Sequence, residues 1–566
     1  MDDRREHVMT EANKKVLPIG EDDFRRIRED DGYYVDKTLM IKDFLDYKNR
    51  VSLITRPRRF GKTLNITMLR DFFDVEQQSR DIFDGLAIME TEYAEQINTV
   101  PVIHLSLKSC SGKTVEELEV GLAMVVADEY FKHINIFIES KKIDWESNQY
   151  YEFYQIYKAF RKLIETKEEE KKIDATTLER SLFVLVRTLE LFYDKKPLLL
   201  IDEYDNPIIE AHQGNFRSEF TRVYATFLTS ALKGNPHLGQ ALLTGIQRVA
   251  NESIFSKINN IAVYNVLDDQ YATYFGLTEN ETSELLEYYD LELNDEMKSY
   301  YDGYNFAGID IYNPWSVLSY ARKKKLQSYW LYTSTNLLIH EVIAIADYEF
   351  YEDFEKLIKD GQVTVRANLA ASFAELPETE TLWGLFVNAG YLTVIDEDYE
   401  YDLLTVKIPN KEITKEFKKI VSGYTKLTNK RLQDMLMALR NGKMDEFLTI
   451  YQKLVLESTS FHDAKENAYH MLMLGMVTHL RELYDITSNI ESGHGRSDLI
   501  MKSKDAKRSH IVIEFKQGES VEKLKHEALA QIEEQKYHAG LTGNVLCVGV
   551  AHHKKRCELV HKLITV

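Results

Sequence analysis

Short apolar runs alternate with long stretches of helical spacing in the first part of the chain. Val51–Thr55, Val102–Leu107, Pro197–Ile201 and Gln240–Leu243 have the length and composition of buried strands. Between the second and third runs, apolar residues recur at three- and four-residue spacing from Val115 to about Tyr193. This order of buried strands and helices predicts an α/β domain with a large helical insertion.

The middle of the chain has a second helical stretch, followed by a change of pattern. Residues 268–359 have helical spacing that is interrupted at Tyr301–Tyr304 and at Tyr312–Trp315. From Thr381 the sequence predicts a helix that ends at Gly390, two short strands around an acidic turn, and a further helix that begins near Glu412. This outline fits either a winged-helix unit or another small α+β connector.

The end of the chain returns to an α/β pattern. Helices predicted over residues 432–456 and 464–484 lead into a final unit that begins near Ile490. The chain is thus a multidomain α/β protein with four predicted regions: an α/β domain over residues 1–265 with its insertion at about 115–195, a helical region over 266–380, a winged-helix-like unit over 381–430, and a helical connector with an α/β domain over 431–566, whose core is 485–566.

Composition excludes several classes of protein. The 566 residues are 44% hydrophobic and 29% charged, which is an ordinary globular balance. No apolar run approaches the roughly 18–20 residues that a membrane-spanning helix needs, and the N-terminus lacks an apolar signal segment, so we expect a cytoplasmic protein without membrane association. Cys110, Cys547 and Cys557 form no C-x-x-C pair, which argues against a disulfide framework or a cysteine zinc site.

Charge is distributed unevenly along the chain. The net charge is −20, but Ser492–Val566 contains 13 basic and 9 acidic residues and seven of the 16 histidines. An acidic body with a mildly basic end predicts that contact with a polyanion is concentrated near the C-terminus. An ordinary fluctuation in composition over such a length would give the same numbers.

The first candidate site follows the strand Val51–Thr55. A loop that ends in Gly61-Lys62-Thr63 leads into a helical pattern, which is the context of a phosphate-binding loop. Lys62 would reach the β- and γ-phosphates, and the Thr63 hydroxyl would ligate Mg²⁺. Arg56 stands where the motif G-x-x-x-x-G-K-[ST] begins with glycine, so a chance strand–GKT–helix is the alternative. The candidate cofactor-binding residues of this loop are Arg56, Pro57, Arg58, Arg59, Phe60, Gly61, Lys62, Thr63 and Leu64.

A second buried strand supplies carboxylates to the same site. Pro197–Ile201 runs into Asp202 and Glu203. Asp202 would hold Mg²⁺, and Glu203 would orient and deprotonate the attacking water. Two adjacent carboxylates at the end of an apolar strand are costly unless a cation lies nearby. Thr244 and Arg248 are candidate sensors of the γ-phosphate; a helix cap and a surface charge are the alternatives for these two residues.

The second candidate site lies near the C-terminus. Asp498 begins one short strand, whereas Glu514 and Lys516 share a face near the end of the next. If the two strands form a hairpin, Asp498 and Glu514 converge on one cation, and Lys516 positions or activates a water molecule. A salt-bridged strand surface is the alternative. Further candidates are Glu491 as a metal ligand and Gln531 and Tyr537 as lining residues.

Several motifs occur together along nearly the whole chain. They are Leu17–Gly20, Tyr34–Thr38, Arg56–Thr63, Leu200–Pro207, Leu243–Gly245, Glu252–Ser256, Asn259-Asn260, Tyr301–Tyr304, Tyr312–Ser316, and Asp498 with Glu514 and Lys516. This set resembles the AAA-ATPase-like family, which pairs an N-terminal P-loop domain with a C-terminal PD-(D/E)XK nuclease domain.

The resemblance implies an ASCE-type P-loop fold, ATP and Mg²⁺ as ligands, and phosphodiester cleavage at the C-terminal site. It also implies that an arginine at position 56 is the usual form. Ser497 stands where the nuclease motif has proline, a variation that the motif tolerates.

These features lead to one functional hypothesis and one alternative. The hypothesis is an ATP-hydrolysing protein coupled to metal-dependent cleavage of nucleic acid, with DNA favoured over RNA and Mn²⁺ able to replace Mg²⁺ at the nuclease site. Such a protein would act as a homo-oligomer or with a protein partner, in defence against mobile DNA or in its maintenance. The alternative is an ATP-driven switch or partner-binding protein with a dormant nuclease-like domain.

Overall fold

A computed structural model describes most of the chain and divides it into two compact units. Unit 1 comprises Met1–Ser334 and Val365–Glu412, and unit 2 comprises Thr335–Thr364 and Ile413–Val566. The four predicted region boundaries stay predictions. The structure describes residues 14–566 except 142, 146, 215, 249–260, 331–349, 351–352, 355, 358–359, 371–377, 416–428, 458–472, 474–475, 478–479, 481–482, 493–494 and 555, and except the side chains of 169, 429, 456–457, 488–492 and 495–496.

Unit 1 contains a five-stranded parallel sheet with the order β2-β3-β4-β1-β5. The strands are β1 (Val51–Thr55), β2 (Val102–Ser106), β3 (Leu198–Asp202), β4 (Gln240–Gly245) and β5 (Ile261–Tyr264). The first four confirm the strands predicted from apolar runs. β5 was not predicted; its four residues, Ile-Ala-Val-Tyr, are apolar, but the run is short and only half-buried. Since β4 lies between β1 and β3, the loops after these strands end side by side.

The described residues of unit 1 also form helices. They are α1 (Phe24–Glu29), α2 (Leu39–Tyr47), α3 (Lys62–Phe73), α4 (Arg80–Phe83), α5 (Val115–Ser140), α6 (Tyr151–Glu165), α7 (Ala175–Tyr193), α8 (Asn206–Gln213), α9 (Arg217–Leu232), α10 (Glu279–Tyr288), α11 (Asp295–Tyr301), α12 (Pro314–Lys323) and α13 (Thr379–Asn388). Short 3₁₀ helices lie at Ala87–Glu90, Glu92–Gln96, Leu107–Ser109, Glu168–Glu170 and Ala272–Tyr274.

Helices α5, α6 and α7 form the predicted insertion. The side chains of Thr114 and Asp174 cap α5 and α7 by accepting hydrogen bonds from backbone N–H groups in the first turn. Apolar faces of all three helices join one core with β1 to β4, which explains why their spacing was readable in the sequence. The charged run Lys167–Lys172 lies in the connection between α6 and α7.

The stretch over residues 268–359 differs from its predicted helical pattern. A three-stranded antiparallel sheet interrupts it, formed by β6 (Leu277–Thr278), β7 (Tyr304–Phe306) and β8 (Ile309–Tyr312). The turn between β7 and β8 uses positive φ at Ala307 and Gly308. The spacing of apolar residues does not reveal such a turn, because the turn is defined by the backbone angles of two residues.

The predicted helix and hairpin after Thr381 are present. Gly390, with φ of +84°, follows α13 and allows the chain to turn. After β9 (Gln362–Val365), which spans the boundary between the units, β10 (Thr393–Asp398) and β11 (Leu403–Lys407) form an antiparallel pair. Residues 411–415 are helical, and the following residues lie outside the described part, so the winged-helix assignment stays a prediction.

Unit 2 contains a five-stranded mixed sheet with the order β12-β13-β14-β15-β16. β14 and β15 are parallel and the other pairs are antiparallel. Apolar residues of helices and sheet form cores on both sheet faces. The elements are α14 (Asn429–Arg440), α15 (Met444–Glu457), β12 (Tyr484–Ser492), β13 (Gly495–Ser503), β14 (His510–Gln517), α16 (Val521–Glu534), β15 (Asn544–His553) and β16 (Arg556–Thr565). None of the helices in the described parts of the chain combines the length and the apolar character that crossing a membrane requires.

Candidate nucleotide and nuclease sites

The loop between β1 and α3 has the backbone geometry of an anion-binding turn. Gly61, with φ of +85°, precedes the first residue of α3, and Arg59 has φ of +70°. A Cβ atom on Gly61 would meet nothing within 4 Å, so the backbone angle alone favours glycine here. The unpaired N–H groups in the first turn of α3 provide donors for an anion at this end of the helix.

Lys62 closes this loop on itself. Its Nζ donates to the carbonyl oxygens of Arg56 at 2.9 Å and Pro57 at 2.8 Å. Burial lowers the pKa of Lys62, against the effect of the nearby carboxylates of Glu203 and Asp202. Phosphate oxygens would therefore compete with two backbone carbonyls for an ammonium group that already lies in the loop.

Asp202, the last residue of β3, is hydrogen-bonded to residues of α3 and β4. Its Oδ2 accepts a hydrogen bond from Thr63 Oγ1, and its Oδ1 accepts one from Thr244 Oγ1, both at 2.6 Å. This arrangement follows from the strand order, because β4 brings Thr244 between the ends of β1 and β3. The hydroxyl of Thr63 and the carboxylate of Asp202 are the hard oxygen donors that Mg²⁺ takes, so this pair fits the ion.

Glu203 directly follows β3 and lines a cavity of unit 1. Its φ is +52°, an uncommon backbone angle for a residue other than glycine. Burial raises the pKa of Glu203, the charge of Asp202 raises it further, and Lys62 opposes both effects. Within the described residues, the Glu203 carboxylate makes no hydrogen bond or ion pair, so it is free to accept a proton.

The sequence analysis did not identify the roles of Tyr204 and Asp205. Asp205 Oδ2 accepts hydrogen bonds from the backbone N–H groups of Ile246 at 2.9 Å and Gln247 at 3.1 Å. The Tyr204 hydroxyl donates to the Gln247 carbonyl at 2.8 Å. These contacts fix the segment that follows β4 and leads to Arg248. The sequence did contain a signal for Asp205, because it is the third acidic residue in the four positions that follow the apolar run Leu198–Ile201.

Arg248 does not line the cavity. Its Nε is buried and has no hydrogen-bond partner among the described residues. The motifs Glu252–Ser256 and Asn259-Asn260 lie outside the described part of the chain. The role of Arg248 as a sensor stays a prediction.

The Arg56 side chain faces away from the cavity, which differs from its expected contact with a nucleotide. Its Nη1 donates to the carbonyls of Thr55 at 2.8 Å and Tyr264 at 3.2 Å. Burial lowers its pKa to about 9, and its guanidinium lies 5.4 Å from the ring centroids of Phe275 and Phe306. Arg56 therefore supports the loop from behind by connecting β1 to β5.

Two other loop residues pack inside unit 1. The buried ring of Phe60 lies 4.9 Å from the ring of Tyr304, centroid to centroid. Pro57 packs against Gly390, where an added Cβ would be 2.8 Å from the Pro57 Cβ. Of the predicted residues in this segment, Arg56 and Pro57 do not line the cavity, whereas Arg58, Arg59, Phe60, Gly61, Lys62, Thr63 and Leu64 do.

The cavity has a volume of about 410 Å³, within the usual range of about 300–1,000 Å³ for ligand pockets. Lys108, which the sequence analysis did not select, is a further cation of the lining. The lining combines charged and polar residues, among them Arg58, Arg59, Lys62, Thr63, Lys108 and Glu203, with apolar and aromatic residues, among them Ile27, Tyr33, Val35, Leu285, Trp315 and Leu318. The Arg59 guanidinium lies 4.2 Å from the centroid of the Trp315 ring.

The C-terminal candidate residues lie on two adjacent antiparallel strands, as the predicted hairpin requires. Leu499 of β13 pairs with Ile513 of β14, which brings Asp498 next to Glu514. The Phe515 N–H donates to Asp498 Oδ2 at 2.7 Å, and the Asp498 N–H donates to Glu514 Oε2 at 3.3 Å. Both carboxylates are therefore held by strand backbone.

Helix α16 and the turn that follows it add two polar side chains to this site, Gln531 from the helix and Tyr537 from the turn. Gln531 Nε2 donates to Glu514 Oε1 at 2.5 Å and to the Tyr537 hydroxyl at 2.9 Å. Lys516 Nζ lies 3.9 Å from Glu514 Oε1. Burial raises the pKa of Asp498, while the Phe515 N–H and the charge of Lys516 oppose the rise. The structure thus brings together all the predicted residues of this site except Glu491.

Glu491 lies in β12 opposite Arg496, and its side chain is outside the described part. Among the described residues, no group of three or more His, Cys, Asp and Glu side chains is arranged to hold a metal ion. Mg²⁺ often binds through one or two carboxylates and keeps several waters, so Asp498 and Glu514 fit an open magnesium site.

Two family models match the regions of the chain that contain these candidate sites. Residues 18–255 match a family model described as "Predicted AAA-ATPase", and residues 464–562 match a model of the PD-(D/E)XK nuclease superfamily. The chain joins an AAA-ATPase-like region to a PD-(D/E)XK nuclease-like region. The resemblance inferred from the motifs is thereby confirmed for both regions.

The AAA-ATPase-like region contains β1 to β4 with Lys62, Asp202, Glu203 and Thr244. One curated relative is the "Uncharacterized protein in vnfD 5'region" of Azotobacter chroococcum mcd 1, which is 27% identical over 337 residues. The match covers 58% of this chain and 56% of the relative, so the chain matches little more than half of the relative's length.

Proposed function

We propose that unit 1 is an ASCE-type P-loop ATPase that binds Mg²⁺–ATP in its cavity. The observation that carries this proposal is the convergence of Lys62, Thr63 and Asp202 at the ends of parallel strands, next to the unpaired carboxylate of Glu203. Asp202 and Thr63 would hold Mg²⁺, which neutralises phosphate charge when bound.

The residues of the loop and of β3 have separate tasks in hydrolysis. Lys62 leaves the carbonyls of Arg56 and Pro57 and binds phosphate oxygens. Glu203 accepts the proton of the attacking water, a task that its raised pKa and free carboxylate suit. Thr244 keeps Asp202 oriented through their hydrogen bond.

The apolar and aromatic part of the cavity lining supports a nucleotide and not an inorganic polyphosphate as the ligand. The half-buried side chains of Tyr33, Val35 and Trp315 belong to this part of the lining. A base has flat apolar faces that bury surface against such side chains, whereas phosphate groups have none.

Equilibrium binding of Mg²⁺–ATP and Mg²⁺–tripolyphosphate, measured by calorimetry, tests this proposal. We expect Lys62→Ala to weaken the binding of both ligands, and Val35→Trp to weaken the binding of ATP alone by filling apolar space in the cavity. Lys113→Ala and Ile138→Trp change exposed residues elsewhere in unit 1 and serve as matched controls. ATP binding that Lys62→Ala leaves unchanged would contradict a P-loop site.

We further propose that unit 2 cleaves phosphodiester bonds of nucleic acid, with DNA as the favoured substrate. Asp498 and Glu514 would hold Mg²⁺ or Mn²⁺, which polarises the phosphoryl group when bound. Lys516 orients the attacking water and offsets charge that develops on the phosphate oxygens. Gln531 fixes the position of Glu514 through its amide.

Metal binding separates an active nuclease from a dormant one. Calorimetric titration with Mn²⁺ should show binding that Asp498→Asn and Glu514→Gln each weaken, whereas Asp505→Asn, in the turn between the same strands, should leave it unchanged. If no Mn²⁺ binding depends on Asp498 and Glu514, the alternative function of an ATP-driven switch with a dormant nuclease-like domain is favoured. Coupling of ATP to cleavage, and a role in defence against mobile DNA or in its maintenance, are further parts of the proposal.

A further inference from the structure

The phosphate-binding loop is contacted from behind by residues far away in sequence. Trp330 Nε1 donates to the carbonyl oxygen of Arg58 at 3.5 Å. This distance exceeds the usual value of about 2.9–3.0 Å, so a shift of a few tenths of an ångström would break the contact or shorten it to an ordinary hydrogen bond. Pro57 packs on Gly390, whose carbonyl accepts a hydrogen bond from Tyr304 at 3.0 Å.

Glu412 holds the Trp330 segment in place. Its buried carboxylate accepts hydrogen bonds from the Trp330 N–H at 2.8 Å and from the N–H of Tyr329. Its other oxygen accepts one from the Ser316 hydroxyl at 2.8 Å. Because a buried carboxylate without partners is costly, these bonds connect the position of Glu412 to the positions of Tyr329 and Trp330.

This cluster lies where the chain leaves unit 1. The chain passes into unit 2 after Ser334 and again after Glu412, and it returns at Val365. Trp330 lies four residues before the first passage, and Glu412 is the last residue before the final one. Two of the three passages between the units therefore start beside residues that are hydrogen-bonded to each other.

Nucleotide binding would disturb the loop at the same place. In this structure Lys62 occupies the carbonyls of Arg56 and Pro57, the two residues that precede Arg58. When Lys62 turns to phosphate oxygens, these carbonyls lose their partner and the loop backbone readjusts. The Arg58 carbonyl follows them directly in the chain, so its long contact with Trp330 is the first one that such a shift would change.

We propose that Trp330 and Glu412 are positioning residues that link the nucleotide state of the loop to the two segments through which the chain leaves unit 1. The proposal rests on the proposed ATP binding at Lys62. It gives a physical route by which ATP would influence residues beyond Glu412, and it needs no contact between the ligand and these segments.

Hydrogen–deuterium exchange of the full-length protein, with and without saturating Mg²⁺–ATP, tests the link. The readout is the exchange rate of the backbone amides of Tyr329 and Trp330, whose N–H groups donate hydrogen bonds to Glu412. We expect ATP to change this rate at least about fivefold in the wild-type protein. Trp330→Phe removes the indole donor; we expect it to bind ATP within about threefold of wild type but to show less than a twofold change in exchange.

Glu412→Gln provides a second variant of nearly the same shape, in case Trp330→Phe fails to fold. It keeps one carbonyl acceptor but loses the charge, so we expect faster exchange at Tyr329 and Trp330 in both states and a smaller difference between them. Glu400→Gln, in the exposed turn between β10 and β11, is the matched control and should behave as wild type.

The possible failures are distinguishable. If ATP binds to the wild-type protein and the exchange of Tyr329 and Trp330 does not change, the link is overturned while the proposed ATP site stands. If Trp330→Phe and Glu412→Gln fold and respond to ATP as wild type does, the link is also overturned. If ATP does not bind at all, the proposed function of unit 1 fails, and the link fails with it.

Discussion

In unit 1 the candidate site residues lie on loops at the ends of parallel strands, whereas in unit 2 they lie within two adjacent antiparallel strands. Lys62 is bound to carbonyls of its own loop, and Glu203 has no partner among the described residues. Asp498 and Glu514, in contrast, are each held by a backbone N–H group. The first site has to rearrange when its ligand binds, whereas the second is already in place.

This difference suggests a division of roles. A loop whose cation exchanges partners can report whether a nucleotide is present, because binding changes its contacts. A pair of carboxylates fixed on strands can position a metal ion and a substrate without rearrangement. Under the functions proposed above, unit 1 would respond to a nucleotide and unit 2 would hold a metal ion for cleavage.

The largest expected effect is on ATP hydrolysis. Glu203→Gln removes the proton acceptor but keeps the shape, so we expect a loss of about 10²–10⁴ in kcat with little change in ATP affinity. Steady-state kinetics and calorimetry measure the two quantities. Glu219→Gln changes an exposed residue of α9 and should hydrolyse ATP normally. Normal hydrolysis by Glu203→Gln would remove Glu203 from the reaction.

A somewhat smaller effect is expected at the strand-based site. Lys516→Ala should lower the cleavage rate by about 10²–10³, because one cation is lost where charge develops. Lys502→Ala, an exposed lysine of the adjacent strand β13, is the control and should cleave normally. A gel-based cleavage assay at fixed Mg²⁺ concentration gives both rates, and equal losses in the two variants would indicate a general charge effect.

The third prediction concerns the scaffold behind the nucleotide loop. Glu76, shortly after the end of α3, accepts a hydrogen bond from Tyr193 at 2.5 Å and contacts His133 Nδ1 of α5 at 2.9 Å. His133→Phe removes a partner of a mostly buried carboxylate and should lower the free energy of unfolding by about 1–3 kcal/mol. Denaturant titration measures the change, and an unchanged midpoint would show that the network contributes nothing.

This network also predicts a pH dependence of stability. Burial alone would raise the pKa of Glu76, but the hydrogen bond and charge of His133 hold it at about 2, so the Glu76 contribution is present above about pH 4.5 and is lost as the pH falls toward 2. Burial opposes the charging of His133, yet Glu129 and Glu76 raise its pKa. Its contribution is therefore present below about pH 6.5 and is lost as the pH rises through the raised pKa.

The contributions of Glu76 and His133 thus overlap between about pH 4.5 and 6.5. His133→Phe should be most destabilising in this window and less so at higher pH. Unfolding curves of wild type and variant at several pH values provide the check. A difference that grows as the pH rises above the window would contradict the assigned charges.

The smallest effect is expected at the edge of the nuclease site. Tyr537→Phe removes one partner of Gln531, which in turn holds Glu514. We expect a loss of about two- to tenfold in cleavage rate, in line with the net contribution of one hydrogen bond. A loss as large as that of Lys516→Ala would mean that Tyr537 takes part in the chemistry and does more than orient Gln531.

The sequence predicted the parts of both sites that follow from local pattern. Apolar runs located β1, β3 and β4, and their ends placed Thr63, Asp202 and Thr244 together. Alternation along β14 placed Glu514 and Lys516 on one face. In these cases the position of a side chain depends on its own strand and on the order of neighbouring strands.

The remaining features depend on residues that are distant in sequence. Arg56 faces inward because its guanidinium binds the carbonyl of Tyr264, 208 residues away. Glu412 can be buried because its carboxylate accepts a hydrogen bond from the N–H of Trp330, 82 residues away. The sequence pattern around each charged residue fits an exposed position equally well, so neither contact was predictable from the chain alone.

The central claim is that one chain carries an ATP-responsive loop site and a separate cleavage site. The most direct test incubates the purified protein with labelled single- and double-stranded DNA and RNA, with Mg²⁺ or Mn²⁺, in the presence and absence of ATP. Lys516→Ala and Lys62→Ala are assayed in parallel. We expect metal-dependent cleavage whose rate responds to ATP, cleavage that Lys516→Ala slows by about 10²–10³, and cleavage by Lys62→Ala that ATP does not change. Hydrolysis of ATP without cleavage of any substrate, or equal cleavage by the wild type with and without ATP, would contradict the claim.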